Sequence, residues 1–239
     1  MPHVLADKTP DAPRLIRDGI YDLIRDEILS CTLVPGSQFH EQDLAQRYEV
    51  SKSPIRDALL RLQEQNLVEV LPRRGYRVRP ISVADAIEMY EMRLLYERAC
   101  AARVIEHASD GEIATLDTFR SSPAGTDMPA WIDYNRRFHI ALASLCGNTR
   151  LIRASVDVIE HFDRLTYVSV AAVSGTDVNV ADGKPGNAAG LQQFVAEHAA
   201  IIDAIKARDK RLTAALIKEH TESSRKRTLD AIANPAIVP

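Results

Sequence analysis

Apolar residues recur at helical spacing along most of this 239-residue chain. The first such run begins at Arg14, and its spacing of three to four residues predicts an amphipathic helix. The apolar positions of this run are Leu15, Ile16, Ile20, Leu23, Ile24 and Ile28. The segment "LVPGSQF" then supplies a Pro-Gly turn that ends the helix. Two further short helices are predicted over "HEQDLAQRYEV" and "SKSPIRDALLRLQEQN", the second with Ser53 as N-cap and Pro54 at its first position.

The segment "LVEVLPRRGYRVRPI" breaks this helical pattern. Short runs of β-branched and aromatic residues lie on either side of "PRRG", which predicts two strands joined by a turn. Three helices followed by a small hairpin is the layout of a winged helix-turn-helix. We therefore predict such a domain over residues 14–80, preceded by a flexible arm over residues 1–13, which contains three prolines.

The rest of the chain, residues 81–239, returns to helical spacing and predicts an all-helical domain. Ser82 is expected to cap a long helix that runs to about His107, and Ser109 or Asp110 a shorter one. Later helices are predicted over residues 128–146, 148–172, 190–207 and 210–232. The polar, glycine-rich segment 174–190 predicts a mobile surface loop. The expected fold class is mainly α, an N-terminal winged helix-turn-helix followed by an all-α helical bundle.

Composition narrows the class of protein. Hydrophobic residues make up 46% of the chain and charged residues 26%, which is typical of a soluble globular protein. The three cysteines, Cys31, Cys100 and Cys146, form no CxxC pair, which argues against a disulfide framework or a thiolate zinc site. The N-terminus lacks the apolar run of a signal peptide, and no apolar stretch approaches the length of a membrane span. We therefore expect a cytoplasmic protein with no membrane partner.

Charge is distributed unevenly along the chain. The formal net charge is −3, yet residues 47–79 contain eight Lys and Arg residues against four acidic residues. A basic segment inside a mildly acidic chain predicts that one module contacts a polyanion.

The start of the third predicted helix carries the candidate DNA-binding residues. In a helix-turn-helix, the second helix of the motif enters the major groove and its N-terminal residues reach base edges. Lys52 and Arg56 are long enough to reach guanine, while the hydroxyl groups of Ser51 and Ser53 suit phosphate oxygens. In the predicted wing, Arg73 and Arg74 precede Gly75 and are expected beside the DNA backbone or minor groove. The alternative is a solvated basic face, but the order of the elements favours double-stranded DNA.

Polar residues on apolar helix faces mark a second candidate site. Asn135 and His139 are four residues apart and share one helix face. His198 and His220 each lie on the apolar face of a later predicted helix. Imidazoles from three helices can meet in a bundle core as ligands of a divalent metal. The alternative is a polar core of hydrogen-bonded histidines without a metal, and the residues themselves leave both open.

Several motifs resemble a known family. The elements "VPG", "EQDLA", "VSKSPIRDALLRL" and "PRRGYRV", over about residues 15–80, resemble the DNA-binding domain of the GntR family of bacterial transcription regulators. About residues 82–232 resemble the FCD effector domain of the FadR subfamily, through "MRLLYERACA", "NRRFH", "GNTRL", "EHAAIIDAIKARD" and "ALIKEH".

The resemblance implies a function and a set of site residues. It implies operator contacts by Ser51, Lys52, Ser53, Arg56 and Gly75. It further implies a homodimeric helical domain that often holds Zn, Ni or Mn through one Asp or Asn and three His residues. The matching positions are Asn135, His139, His198 and His220, and many relatives have Asp at the first of them.

The same resemblance implies a small organic acid as effector, bound beside the metal, with Arg93 as the candidate partner of its carboxylate and Glu97 one turn on to orient it. We expect no enzymatic activity, but a dimeric regulator, most often a repressor, of an inverted-repeat operator. The alternatives are a metal-independent ligand-binding regulator and a metal-dependent enzyme fused to a DNA-binding module.

Overall fold

The computed structural model describes residues 12–122, 128–174 and 188–233. The chain divides into two compact units, Met1–Pro80 and Ile81–Pro239. Most of the predicted arm (residues 1–11) and of the predicted surface loop (residues 175–187) lies outside the described residues.

The first unit contains three helices and a small sheet. Its elements are α1 (Ala12–Leu29), β1 (Gln38–Phe39), α2 (Glu41–Arg47), α3 (Lys52–Glu64), β2 (Val68–Leu71) and β3 (Gly75–Val78). The strands form an antiparallel sheet in the order β1-β3-β2. The three helices and the hairpin agree with the predicted winged helix-turn-helix. β1 was not predicted, because two residues are too few to show the alternation typical of a strand.

The core of the first unit follows from the spacing of its apolar residues. Ile24 and Ile28 of α1 and Ile55, Leu59 and Leu62 of α3 are completely buried. Residues four apart lie on one face of a helix, so α1 and α3 pack together through these faces.

The N-terminus of α3 differs from the sequence prediction. The helix begins at Lys52, its N-cap is Ser51 rather than Ser53, and Pro54 is its third residue rather than its first. Pro54 remains compatible with the helix because the first-turn N–H groups have no partner within the helix.

Gly75 occupies a position that only glycine fits. Its φ is +90°, in the region that favours glycine. A Cβ atom there would lie 2.5 Å from the carbonyl oxygen of Phe39 and 2.7 Å from Nδ1 of His40. Gly75 therefore allows the wing hairpin to approach the start of α2 closely.

The second unit is helical throughout its described residues. Its elements are α4 (Val83–His107), α5 (Asp110–Ala114), a 3-10 helix (Thr115–Arg120), α6 (Met128–Ser144), α7 (Thr149–His161), α8 (Asp163–Ser174), α9 (Ala188–Lys206) and α10 (Lys210–Ile232). Ser82 and Ser109 cap α4 and α5 as predicted, accepting hydrogen bonds from the backbone N–H groups of Asp85 and Glu112. The predicted fold class is confirmed.

One predicted helix is divided in two. The segment predicted as a single helix over residues 148–172 forms α7 and α8, which meet at Phe162. The buried ring of Phe162 packs edge-on against Tyr90 of α4, with ring centroids 4.6 Å apart. The break was missed because the sequence has no glycine or proline at this point.

Helix α4 has an unusual distribution of residues between its two faces. Its inner face buries the charged side chains of Arg93 and Glu97, which are 3% and 4% exposed. Its outer face presents Leu95, which is 62% exposed, and Met92. Charged residues are almost never fully buried unless paired, so the inner face of α4 indicates a polar site in the bundle.

Candidate functional site

The first candidate site is the exposed N-terminus of α3. Ser51, Lys52, Ser53 and Arg56 are all exposed there. The Ser51 side chain makes no capping hydrogen bond, so it does not occupy the free N–H groups of the first turn. These N–H groups and the positive end of the helix dipole suit a phosphate oxygen.

Glu41, which sequence reasoning did not identify, holds the side chain of Arg56. Arg56 donates two hydrogen bonds to its carboxylate, Nε to Oε1 at 3.2 Å and Nη2 to Oε2 at 2.9 Å. The Tyr76 hydroxyl donates to Oε1 at 3.1 Å. The hydrogen bond from Arg56 and the positive charge nearby hold the pKa of Glu41 below its usual value. The carboxylate therefore links α3, the first turn of α2 and the wing strand β3.

The other predicted DNA-binding residues are also at the surface. Lys52 Nζ donates to Oε1 of Gln42 at 3.2 Å, so Lys52 and Arg56 both contact the first turn of α2. Arg73 and Arg74 are exposed in the turn between β2 and β3, immediately before Gly75. The basic residues of α3 and of the wing are thus held on one small framework of α2, α3 and the sheet.

The second candidate site lies in the core of the helical unit. His139 of α6, His198 of α9 and His220 of α10 are 2%, 0% and 3% exposed. One nitrogen from each ring lies within 4.8 Å of the others. The structure therefore brings together the three histidines that the sequence placed on apolar faces, and we call them the histidine cluster.

Each ring has its Nδ1 directed to a group outside the cluster. Nδ1 of His220 lies 2.7 Å from Oε2 of Glu197, and a carboxylate accepts, so Nδ1 carries the proton. Nδ1 of His139 lies 3.0 Å from Oε1 of Glu97, although the angle is not that of a hydrogen bond. In His220 this arrangement leaves the lone pair on Nε2. In His139 the lone pair also lies on Nε2, because that atom contacts the guanidinium group of Arg93, which can only donate.

The same tautomer follows for His198 from its contact with Tyr134. The Tyr134 hydroxyl donates to the carbonyl oxygen of Phe119 at 2.7 Å. Its oxygen therefore accepts from Nδ1 of His198, 3.3 Å away. Nε2 of His198 is buried and has no hydrogen-bond partner among the described residues. A buried acceptor without a partner is costly, so this nitrogen is suited to accept a hydrogen bond or to bind a metal.

Arg93 places a positive charge against the histidine cluster. Its Nη2 contacts Nε2 of His139 and lies 3.3 Å from Nε2 of His220. Its Nε donates to Oε1 of Glu97 at 2.6 Å. A guanidinium group can only donate, so these contacts agree with lone pairs at both Nε2 atoms.

Burial and charge set the protonation states of this site. Burial, aided by the charge of Arg93, lowers the pKa of His139 to about 4. Burial and the neighbouring imidazoles lower the pKa of His198 well below its usual value. Burial would raise the pKa of Glu97, but Arg93 and His139 together hold it below the usual range. At neutral pH, His139 and His198 are therefore neutral, as metal ligands must be.

Asn135 lies beside the cluster, at the wall of a small cavity. Its Nδ2 donates to the hydroxyl oxygen of Thr166 at 3.4 Å. Asn135 and His220 both line this cavity, together with Trp131, Tyr134, Thr166, Ser169, Val170, Phe194 and Ser224. Hydroxyl groups, aromatic rings and an imidazole thus surround one space, the mixture expected of a site for a small polar ligand.

A basic helix start within a winged helix-turn-helix, followed by a helical bundle with a polar core, defines the class of modular DNA-binding regulators. Residues 16–78 match the family of bacterial regulatory proteins named gntR, and residues 88–223 match the FCD domain. The chain belongs to the GntR family of helix-turn-helix transcriptional regulators and carries an FCD domain. The predicted family is therefore confirmed, and membership implies DNA binding.

Curated relatives are named as transcriptional regulators rather than enzymes. An uncharacterized HTH-type regulator of Agrobacterium vitis is 33% identical over 131 residues, covering 52% of this chain and 77% of that protein. The HTH-type transcriptional repressor RspR of Escherichia coli (strain K12) is 26% identical over 167 residues, 66% of this chain and 72% of RspR.

Solved structures share the fold. Escherichia coli McbR/YncC has a TM-score of 0.68 at 20% identity, covering 87% of this chain and 93% of that chain. A putative GntR regulator of Rhodococcus sp. RHA1 also has a TM-score of 0.68, at 24% identity, covering 90% and 97% of the two chains. Separately, none of the helices in the described segments is long and apolar enough to span a membrane.

Proposed function

We propose that this regulator is a cytoplasmic repressor that binds an inverted-repeat operator as a homodimer and releases it when a small organic acid binds near a divalent metal in the FCD domain. The observation that carries this proposal is the shared tautomer of the histidine cluster. Each Nδ1 is directed to an outer group, and three Nε2 lone pairs remain in a buried site. A metal ligand needs this arrangement, in which the second ring nitrogen is held by an outer partner.

The DNA-binding half of the proposal rests on the exposed residues of α3 and the wing. Lys52 and Arg56 read base edges, while Ser51 and Ser53 contact phosphate oxygens at the helix N-terminus. Arg73 and Arg74 contact the backbone or minor groove, at the tip that Gly75 permits. Glu41 orients Arg56, because two hydrogen bonds restrict the plane of the guanidinium group.

The histidine cluster fits a divalent Zn, Ni or Mn ion. His139, His198 and His220 would hold it through Nε2, with the side-chain oxygen of Asn135 as a fourth ligand. Glu97, Tyr134 and Glu197 are the outer partners that fix the three rings. When bound, the metal supplies a positive charge that attracts a carboxylate. With the metal held there, Arg93 would no longer donate to Nε2 of His139, because one lone pair cannot serve both a metal and a guanidinium donor.

The effector site adjoins this cluster. The cavity lined by Asn135, Thr166, Ser169 and Ser224 offers several hydroxyl and amide groups to a small ligand. Arg93 is the group that would pair with the carboxylate of an organic acid. With a metal held by the histidine cluster, the guanidinium group of Arg93 would be available for this role.

Metal analysis together with operator binding tests this function. DNA fragments selected by the purified protein are sequenced to define the operator, and the protein is analysed for bound metal. We expect an inverted repeat, bound metal, and a melting temperature that falls on chelation and recovers with Zn, Ni or Mn. Selection of no specific sequence would contradict the DNA-binding half, and a melting temperature insensitive to all three ions would contradict the metal half.

A second candidate is a regulator of the same kind that needs no metal. The contact of Arg93 Nη2 with His139 and its position 3.3 Å from Nε2 of His220 favour this alternative, because a guanidinium group already supplies a cation to two of the three rings. In that case the protein contains no metal, and replacement of Arg93 by Ala destabilises the cluster. Metal analysis therefore separates the two candidates directly.

A further inference from the structure

The outer face of α4 exposes large apolar side chains to solvent, among them Met92 and Leu95. Together with Lys210, Thr213 and Ala214 of α10, it forms a groove with a mainly apolar lining. Leu95 lines this groove and is 62% exposed. A solvent-facing helix surface is normally polar, and an exposed apolar patch with a polar rim marks an interaction site.

Three pairs of residues along this face are arranged symmetrically about a single point. Counting outward from the midpoint between Leu94 and Leu95, Glu91 and Arg98 are equidistant on the two sides. The next pair at helical spacing is Ile87 and Ala102, and the pair beyond it is Ala84 and Ile105. Each of these three pairs joins apolar to apolar or acid to base.

Such symmetry matches an antiparallel contact between two copies of the same helix. Around a two-fold axis, residue i of one copy meets residue j of the other while j meets i. An axis through the midpoint of Leu94 and Leu95 places the leucines against each other at the centre. It places Glu91 of each copy against Arg98 of the other, and the small side chain of Ala102 against Ile87.

Two charges on this face have no partner among the described residues of one chain. Glu91 and Arg98 are exposed, and neither makes a hydrogen bond or ion pair with another residue in the described segments. Seven residues along a helix correspond to about 10.5 Å, too far for the two side chains to pair within α4. Across the two-fold axis, both charges gain a partner of opposite sign.

We infer that this face of α4 is the two-fold interface between the FCD domains of two copies of this chain. The inference deepens the proposed function, because it assumes the homodimer proposed there and assigns its surface. The partner on this face is a second copy of the chain, because its residues are complementary to the same face in the opposite direction. An unrelated partner would not need this self-complementarity.

Charge reversal tests this interface. The substitution Glu91→Arg places two arginines against each other in each half of the interface, and Arg98→Glu places two glutamates. We expect either single variant of the full-length protein to raise the dimer dissociation constant at least roughly tenfold, measured by sedimentation equilibrium. The double variant E91R/R98E restores opposite charges and is expected to return to within about threefold of the wild type.

Mixing the two single variants gives a sharper result. In an antiparallel contact, an E91R chain and an R98E chain present opposite charges to each other at both positions. We therefore expect the mixture to form heterodimers about as tightly as the wild type forms homodimers. Since both variants then dimerise, this outcome also shows that each is folded.

A leucine substitution tests the centre of the interface. Leu95→Glu places two buried charges at the axis and is expected to give monomers. Leu212→Glu is the matched control, because Leu212 is also exposed (47%) on a neighbouring helix but does not line the groove. The control should dimerise like the wild type.

Other outcomes overturn the inference. A wild-type protein that is monomeric at all concentrations, or a dimer that E91R and L95E leave unchanged, shows that this face is not the interface. Failure of both the double variant and the mixture to restore dimerisation rejects the antiparallel register. Binding of the wild type to its selected operator is measured in parallel, so a failure of the DNA-binding proposal is recognised separately.

Discussion

Arg93 and Glu97, one turn apart on α4, form an ion pair with Nε and Oε1 2.6 Å apart in the core of the helical unit. Both side chains are almost completely buried, and both also face the histidine cluster. Removing two charges from water is costly, and an apolar pair of similar size is often at least as stable. The pair is therefore better explained by the site it helps to form than by stability.

The buried pair predicts a large effect for a small change. Glu97→Gln keeps the shape of the side chain but leaves the charge of Arg93 uncompensated in the core. We expect the free energy of unfolding to fall by roughly 3–5 kcal/mol, measured by urea denaturation of the metal-free protein. The control is Glu222→Gln, which removes an exposed carboxylate paired with Lys218. If Glu97→Gln lowers the free energy of unfolding no more than Glu222→Gln does, the carboxylate of Glu97 does not compensate the buried charge of Arg93.

Arg56 is expected to contribute to both affinity and sequence preference. Arg56→Ala should weaken binding to the selected operator by about ten- to hundredfold and relax the preference at one base pair, if the contact is to a base. The measurement is a titration of operator and random DNA at one fixed salt concentration. Equal loss on both DNAs would instead indicate a phosphate contact. Lys218→Ala, in the other unit, controls for loss of a positive charge.

Glu41 is expected to affect specificity more than affinity. Glu41→Gln removes a negative charge from the surface that we propose faces DNA, and it weakens the restraint on Arg56. We therefore expect random DNA to be bound more tightly and the ratio of specific to random affinity to fall. An unchanged ratio would show that the hydrogen bonds from Arg56 to Glu41 do not orient the arginine in the complex.

The proposed metal ligands predict opposite effects for two substitutions. Asn135→Asp adds a negative charge beside the cluster and should tighten metal binding, because a carboxylate is a stronger ligand than a neutral amide oxygen. His220→Ala should remove the metal and weaken the response to effector, while binding to the operator without effector is largely retained. Metal content and competition with a chelator measure both effects. Equal metal content in all three proteins would exclude these residues as ligands.

The lowered pKa values predict acid sensitivity of the metal-free protein. An unfolded histidine titrates near 6.5, whereas the pKa of buried His139 is about 4 and that of His198 is also lowered. Between about pH 6.5 and 4, the unfolded state gains protons that the folded state does not accept. The free energy of unfolding is therefore highest above about pH 6.5 and decreases as the pH falls toward 4. Each group contributes a slope of about 1.4 kcal/mol per pH unit.

Unfolding free energies measured in chelator between pH 7 and 4.5 test this slope. The variant His198→Gln has one such group fewer and should show a shallower dependence than the wild type. His107→Gln, at the exposed end of α4, is the control for loss of a surface histidine. Identical slopes for the wild type and His198→Gln would show that His198 is already protonated in the folded protein.

The spacing of apolar residues and the turn residues were sufficient to predict much of the fold. The apolar spacing of α1 and α3 follows from the need to bury one helix face, and the Pro-Gly and "PRRG" turns separate the elements. The same periodicity placed His139, His198 and His220 on buried faces, because residues three and four apart share a face. These features depend on neighbours in the sequence, so the sequence alone was informative about them.

The positions of the interacting groups required the tertiary structure. Glu41 and Arg56 are 15 residues apart and lie on different helices, and no periodicity links them. The break at Phe162 follows from its packing against Tyr90, and β1 exists only because β3 pairs with it. Each of these is a contact between elements, and its geometry depends on how helices and strands pack rather than on local residue type.

What the sequence by itself determined is the order of the elements, the DNA-binding motif and the residue types of the polar core. Only the tertiary structure decided which ring nitrogen faces the cluster and that Arg93 reaches His139. It also decided that α4 turns Arg93 and Glu97 inward and Leu95 outward. The physical reason is that periodicity specifies faces within one helix, whereas hydrogen bonds and burial depend on which faces of different helices meet.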